Sequence, residues 1–237
     1  MEHRNGCAFC GKELQYIAES EEMKCIFCRN IFKSQAKCVD SHFVCEACHS
    51  LSANDLIERF TVASLARDPL DMAITLMKSP AVKMHGPEHH FLIPAVLLSA
   101  FSNACGRVEE KEAKIKKARQ RAEKVLGGFC GFYGDCGAAV GTGIFVSVMT
   151  GATPVSHGEW RQCNLMTARS LRVIAEAGGP RCCKRNSFLA ILEALKFVEE
   201  EFHVKMGDGP GELKCRFHGL NKECRKAGRP FYPSLKE

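Results

Sequence analysis

Only one tryptophan and three tyrosines occur among 237 residues, too few rings for a broad platform on which successive bases could stack. No apolar run is long enough to cross a bilayer. The longest, Phe91 to Phe101, is interrupted by Pro94 and Ser99 and falls well short of the ~20 residues a spanning helix needs. The opening residues, MEHRNGCAFC, are polar and do not have the form of a secretory signal. These absences lead to the expectation of a soluble, cytoplasmic chain that makes no membrane contact. A large charge imbalance is missing too: a net charge of +6 permits a polyanionic partner without demanding one. Strand signals are weak except over 202–206, ahead of the GDGPG turn at 207–211.

Cysteine, by contrast, is abundant, with 15 residues. In an intracellular chain this number argues for metal or thiol chemistry over a disulfide framework. Eight candidate ligands fall in the first 48 residues, as the pairs Cys7/Cys10, Cys25/Cys28, Cys38/His42 and Cys45/Cys48. Two tetrahedral zinc ions need four ligands each, so the count closes without remainder. A two-residue gap lets both thiolates of a pair reach one ion from a tight turn. The segment is too short and polar to fold alone, so metal binding would supply its folding energy.

The run from Cys25 to Cys48 resembles the first six ligands of a RING-type cross-brace, a likeness that covers a fifth of the chain. The last RING pair is absent and Cys7/Cys10 precede the run instead, which disfavours ubiquitin-ligase activity. A cross-brace with its end pair moved forward would join Cys25, Cys28, Cys45 and Cys48 at one ion. The other ion would then take Cys7, Cys10, Cys38 and His42. Two consecutive ribbons are the competing arrangement. In either case the module can simply be structural, docking a partner or the rest of the chain.

The rest of the chain reads as helices. Ser52 and Asp55 form an N-cap with a capping-box partner, opening a helix that should run to about Arg67. Pro69 suits a first helical position, with Leu70, Ala73, Ile74 and Met77 forming an apolar stripe that stops at Ser79-Pro80. A buried helix is predicted over 92–104, with Pro94 in its first turn, and amphipathic helices near 160–177 and 185–202. Between them, 108–126 alternates charge densely. Its cations, at Lys111, Lys114, Lys116, Lys117, Arg119, Arg121 and Lys124, make either a solvated face or, over 111–124, a surface for RNA or another anionic partner. The predicted fold class is therefore mainly α: a double-zinc module at 1–51, an α-helical domain at 52–206, and a cysteine-containing tail at 207–237.

Three body segments carry candidate chemistry. In 127–143, a glycine-rich stretch, Asp135 is a natural N-cap that would place Cys136 in the first turn of a helix, where the dipole favours a thiolate. Gly137 and Gly141 would let that helix pack closely on another, and Cys130 lies just upstream. Around Cys182-Cys183, a Gly-Gly stop, Pro180 and the cations Arg181, Lys184 and Arg185 suggest a second cysteine-bearing helix start with low-pKa thiolates. If the two starts converge, Cys130, Cys136, Cys182 and Cys183 would surround one site able to carry an iron–sulfur cluster or a persulfide. Glu88, His89 and His90 stand ready as acid, base or extra metal ligands. In the tail, Cys215 and Cys224 with His218 read equally as a small metal loop or as unrelated thiols.

The stretches HGPEHHFLIPA, GGFCGFYGDCGAAVGTG, ATPVS at 152–156 and GGPRCCKRNSF together resemble an uncharacterised domain family of anaerobic microbes, sometimes joined to methyltransferase modules. That likeness covers roughly 70–205. The piece from Gly134 to Gly141 is also similar to a family of redox-active proteins with a C-x-G-C-A-x-x-G signature, although here Gly137 separates cysteine from alanine. These resemblances imply an oxygen-sensitive iron–sulfur or sulfur-handling role. The function expected is a metalloprotein with structural zinc and an iron–sulfur or reactive-thiolate site acting in redox or sulfur transfer. The catalytic residues would be Cys182, Cys183, Glu88, His89 and His90, and Lys184/Arg185 would hold an anionic small molecule. The alternative is a non-enzymatic zinc-module adaptor for a protein or RNA partner.

Overall fold

A computed structural model describes residues 6–207, 211 and 213–233. Two strands, β1 (Leu14–Lys24) and β2 (Ile31–Cys38), form an antiparallel hairpin in register from Leu14 opposite Cys38 to Lys24 opposite Ile31, with an irregularity between Tyr16 and Glu21. This hairpin escaped the sequence reading because its strands are polar and mostly exposed, lacking the alternation that marks a half-buried strand. The predicted strand over 202–206 is replaced by the end of a helix and irregular chain, and the GDGPG turn lies largely outside the described residues.

After the short α1 (Glu46–His49), the body is helical: α2 (Ala53–Ala63), α3 (Pro69–Lys78), α4 (Glu88–Ala104), α5 (Lys111–Ala122), α6 (Phe129–Phe132), α7 (Gly137–Thr150), α8 (Gly158–Ala177) and α9 (Cys183–Phe202). The fold is mainly α, with a small cysteine-rich module ahead of a helical domain. The Ser52 hydroxyl accepts the Asp55 N–H, and Asp68 caps the helix that Pro69 begins. α2 stops at Ala63, four residues short of expectation, because Ser64 turns extended. No helix among the described residues is long and apolar enough to cross a membrane.

α4 forms the centre. From Phe91 to Ala100 every residue is buried, and α2, α3, α5, α7 and α9 all pack against it. It begins at Glu88, so Pro94 sits in the second turn rather than the first. Having no N–H, Pro94 leaves the His90 carbonyl without its helical donor. α7 approaches at that point, where a Cβ on Gly141 would lie 3.0 Å from the His90 oxygen, the Ile93 Cβ and the Pro94 Cδ. The close approach expected of Gly137 and Gly141 is thus made against α4.

α5 is an internal brace more than a free cationic face. Lys111 is buried, its Nζ donating to the Ser64 carbonyl at 2.7 Å and to Asn103 Oδ1 at 3.1 Å. Arg119 bonds Asp55, Glu58 and Glu123, Lys114 pairs with Glu110, Lys116 with Glu112, and Arg121 donates to Ser147. The small module joins the same core through stacked rings. Phe9 meets Phe27 edge-on at 6.3 Å, and Phe27 meets Phe60 of α2 at 6.3 Å.

Candidate functional site

The N-terminal cysteines form two groups, each with its ligand atoms within 4.8 Å of one another: Cys7, Cys10, Cys38 and His42, and Cys25, Cys28, Cys45 and Cys48. Either group can hold a metal ion. This is the cross-brace pairing, not two consecutive ribbons, and the hairpin explains it. β1 leaves the first knuckle and delivers Cys25, while β2 returns from the second knuckle and ends on Cys38 beside the first. Both knuckles have the same build. Cys7 N–H donates to the Lys12 carbonyl and Cys25 N–H to that of Asn30, at 2.7 and 2.9 Å.

The donor sets suit zinc. Cys10 and Cys38 sulfurs are 3.4 Å apart and those of Cys28 and Cys45 3.8 Å; two Zn–S bonds of ~2.3 Å at a tetrahedral angle require about 3.8 Å. His42 Nδ1 is buried without a hydrogen-bond partner, and burial lowers the His42 pKa, favouring the neutral ring that ligates metals. Burial opposes ionisation of Cys25, yet N–H groups of Cys45, Cys28 and Phe27 bring its thiol down to about 7. Burial pushes Cys10 up to about 11. A bound cation would stabilise all these thiolates at once.

In the helical body the three motif segments meet. The N-termini of α4, α7 and α9 converge. Gly86, at the entry to α4, lies beside the Cys183 sulfur at the start of α9. Asn186 Nδ2, one turn into α9, donates to Cys136 Sγ at 3.4 Å. Cys136 is itself the N-cap of α7, so the helix starts one residue later than an Asp135 cap would place it. Gly137 packs on the His90 ring, and His89 Nδ1 accepts from Ser187 Oγ at 3.2 Å.

A cavity of about 590 Å3 opens between α6, α7, α8 and the start of α9, with Cys130, Cys136, Arg181, Arg185 and Asn186 in its wall. Arg185 is only 4% exposed. Its Nε and Nη2 donate to Asn186 Oδ1 at 3.0 and 2.8 Å, while Nη1 is buried with no partner. An uncompensated buried guanidinium is costly, and three helix N-termini add positive potential beside it. The arrangement can receive an anion.

Those observations cover segments that recur as a unit. A family model described as a family of unknown function (DUF5714) matches residues 57–232. The chain belongs to this family. No curated protein and no solved structure matches it. The DUF5714 region begins within α2, so the two cysteine groups of 7–48 precede it, and it continues through Cys215 and Cys224.

Within the DUF5714 region the four body cysteines do not surround one point. Cys183 lies near Cys136 and Cys130, whereas Cys182 faces Cys215 and Cys224 of the tail. Cys182 is extended, at φ −144 and ψ 98, and successive residues of extended chain point to opposite sides. The low-pKa thiolates expected there are also not found. Burial pushes both thiols up to about 11, outweighing the nearby arginines. Lys184, expected to hold substrate, turns inward; its Nζ donates to the Met77 and Val82 carbonyls at 2.6 and 3.2 Å. Glu88 Oε1 accepts the Lys83 N–H at 2.8 Å, and His89 Nε2 donates to the Lys83 carbonyl at 3.1 Å. Both side chains are buried and occupied. His90 Nδ1 donates to the Val125 carbonyl at 2.8 Å, leaving its other ring edge against Gly137, next to Cys136. Sequence reading missed Asn186, although its place one turn after Cys182 in a motif already noted was a signal.

Proposed function

We propose that this protein is a thiol-dependent enzyme of redox or sulfur-transfer chemistry that binds a small anionic substrate beside Cys136, with zinc at the two N-terminal groups serving structure. The supporting observation is the buried Arg185, which lines the same cavity as Cys136 and Cys130 and whose Nη1 has no hydrogen-bond partner. A fixed guanidinium selects negative charge, and Cys136, the N-cap of α7, lies in the wall of the same cavity. In sulfur transfer, Cys136 would attack the outer sulfur of an anionic sulfane donor such as thiosulfate. A new S–S bond forms, the donor's S–S bond breaks, and the electron pair leaves with sulfite, held by Arg185. Cys136 then carries a persulfide to pass on. His90 is the remaining proton acceptor of the HGPEHH segment, since Glu88 and His89 are engaged with the Lys83 main chain.

The test uses zinc-loaded full-length protein handled without oxygen. Anionic iodoacetate should alkylate Cys136 faster than neutral iodoacetamide does, relative to their intrinsic rates. Thiosulfate should add the mass of one sulfur atom to Cys136. Arg185→Gln should abolish both effects while leaving the fold, by circular dichroism, unchanged. Equal reagent preference in both proteins, with no sulfur adduct, overturns the reading. Retained iron and sulfide with absorption near ~400 nm, lost in Cys136→Ser, would replace it with a cluster bound by Cys130, Cys136 and Cys183.

A further inference from the structure

The tail of the described chain has little to hold it. Over 213–233 it contains no strand and only two single-turn 3-10 segments, His218–Leu220 and Lys226–Gly228. It nevertheless lies against α9. Phe217 and Phe231 pack around Phe188 at 6.5 and 5.9 Å, and Arg229 donates to the carbonyls of Ala177, Gly178 and Gly179. Between tail and helix lies a small cavity of about 30 Å3, walled by Cys182, Cys215, His218 and Cys224.

The turn at Cys215 repeats the local construction of the N-terminal knuckles. Backbone amides of Phe217 and His218, two and three residues on, lie beside the Cys215 sulfur, as those of Phe27 and Cys28 lie beside that of Cys25. The Phe9 N–H donates to Cys7 and the Asp40 N–H to Cys38 from the same i+2 position, which aims a thiolate inward and leaves its remaining lone pairs for an ion. Asn221 and the Lys184 backbone likewise lie beside Cys182.

We propose that Cys182, Cys215, His218 and Cys224 form a third metal site, with one zinc ion clamping the tail onto the first turn of α9. Three thiols and an imidazole lining one small cavity are a donor set of the kind zinc takes. The four ligand atoms are not drawn within the 4.8 Å that encloses each N-terminal group, so binding pulls the largely exposed 222–229 loop inward. Arg185 borders this cavity as well as the one beside Cys136, so the clamp also fixes a wall of the proposed substrate site.

Zinc counting on the full chain tests this independently of any Cys136 chemistry. After saturation and removal of excess metal, the wild type should retain about three zinc per chain, and Cys215→Ser and Cys224→Ser about two. Cys224→His, which keeps a zinc donor, should retain about three, as should Cys105→Ser, whose thiol lies elsewhere. Cobalt in place of zinc should lose about one third of its thiolate charge-transfer absorption in Cys224→Ser. A wild type that retains only two zinc, or an unchanged count in Cys224→Ser and Cys215→Ser, overturns the proposal. Iron with sulfide at this site, lost in Cys182→Ser, overturns the assignment of zinc.

Discussion

At the scale of single residues, burial decides more than local charge. His89 is 1% exposed and neutral, donating from Nε2 to a carbonyl and accepting at Nδ1 from Ser187. Burial lowers its pKa to about 3. In the unfolded chain the ring titrates near ~6.5, so between those values the unfolded state binds the extra proton. The stability present above pH ~6.5 should therefore fall progressively as pH drops toward about 3, by up to a few kcal/mol. Thermal melts across this range should show a steeper acid decline for wild type than for His89→Gln. Parallel declines would mean that His89 is not the group responsible. The same rule inverts the reading of Cys182 and Cys183, where flanking cations suggested ionised thiols but burial opposes them.

At the scale of elements, the critical contact is α7 on α4. Pro94 exposes the His90 carbonyl, and Gly141 lets the α7 backbone settle against it. Gly141→Ala should cost about 1–3 kcal/mol, since the contacts include backbone and cannot swing aside. Urea unfolding should show a lower midpoint with an unchanged slope. Gly127→Ala, which meets nothing within 4 Å, should stay within about 0.5 kcal/mol. Comparable losses in both would deny the close contact its importance. Gly137→Ala pushes directly into the His90 ring, so it should also slow Cys136 alkylation by displacing the start of α7.

At the scale of the whole molecule, metal binding and hydrophobic packing act on one continuous core. Cys25, Phe27 and Cys48 join the same buried cluster as Leu56, Ile57 and Phe60. If the two N-terminal groups hold metal, stripping it with a chelator should therefore lower the melting temperature of the entire protein, not of a separate N-terminal piece. Calorimetry should show one transition moving downward; an unmoved main transition would make the module energetically independent. Phe27→Ala should cost about 3–5 kcal/mol by denaturant unfolding at unchanged metal content, because the ring links the knuckles to α2.

Much of this was legible locally. Cysteine spacing marked the eight residues that gather in the two N-terminal groups, Ser52 and Pro69 marked helix starts, and Gly137 and Gly141 marked a close contact, because turns, caps and missing side chains act over a few residues. The polar hairpin gave no such sign, and Lys111 and Arg119 of α5 read as part of a free cationic face because partners of theirs lie on α2, in the loop after it and on α4. Tertiary structure alone decided which ligand pairs share a site, that Cys182 and Cys183 face opposite ways, and that three helix starts meet beside Arg185. Those outcomes depend on residues far apart in the chain, whose meeting is fixed by the packing of whole helices and strands and by the alternating direction of extended backbone.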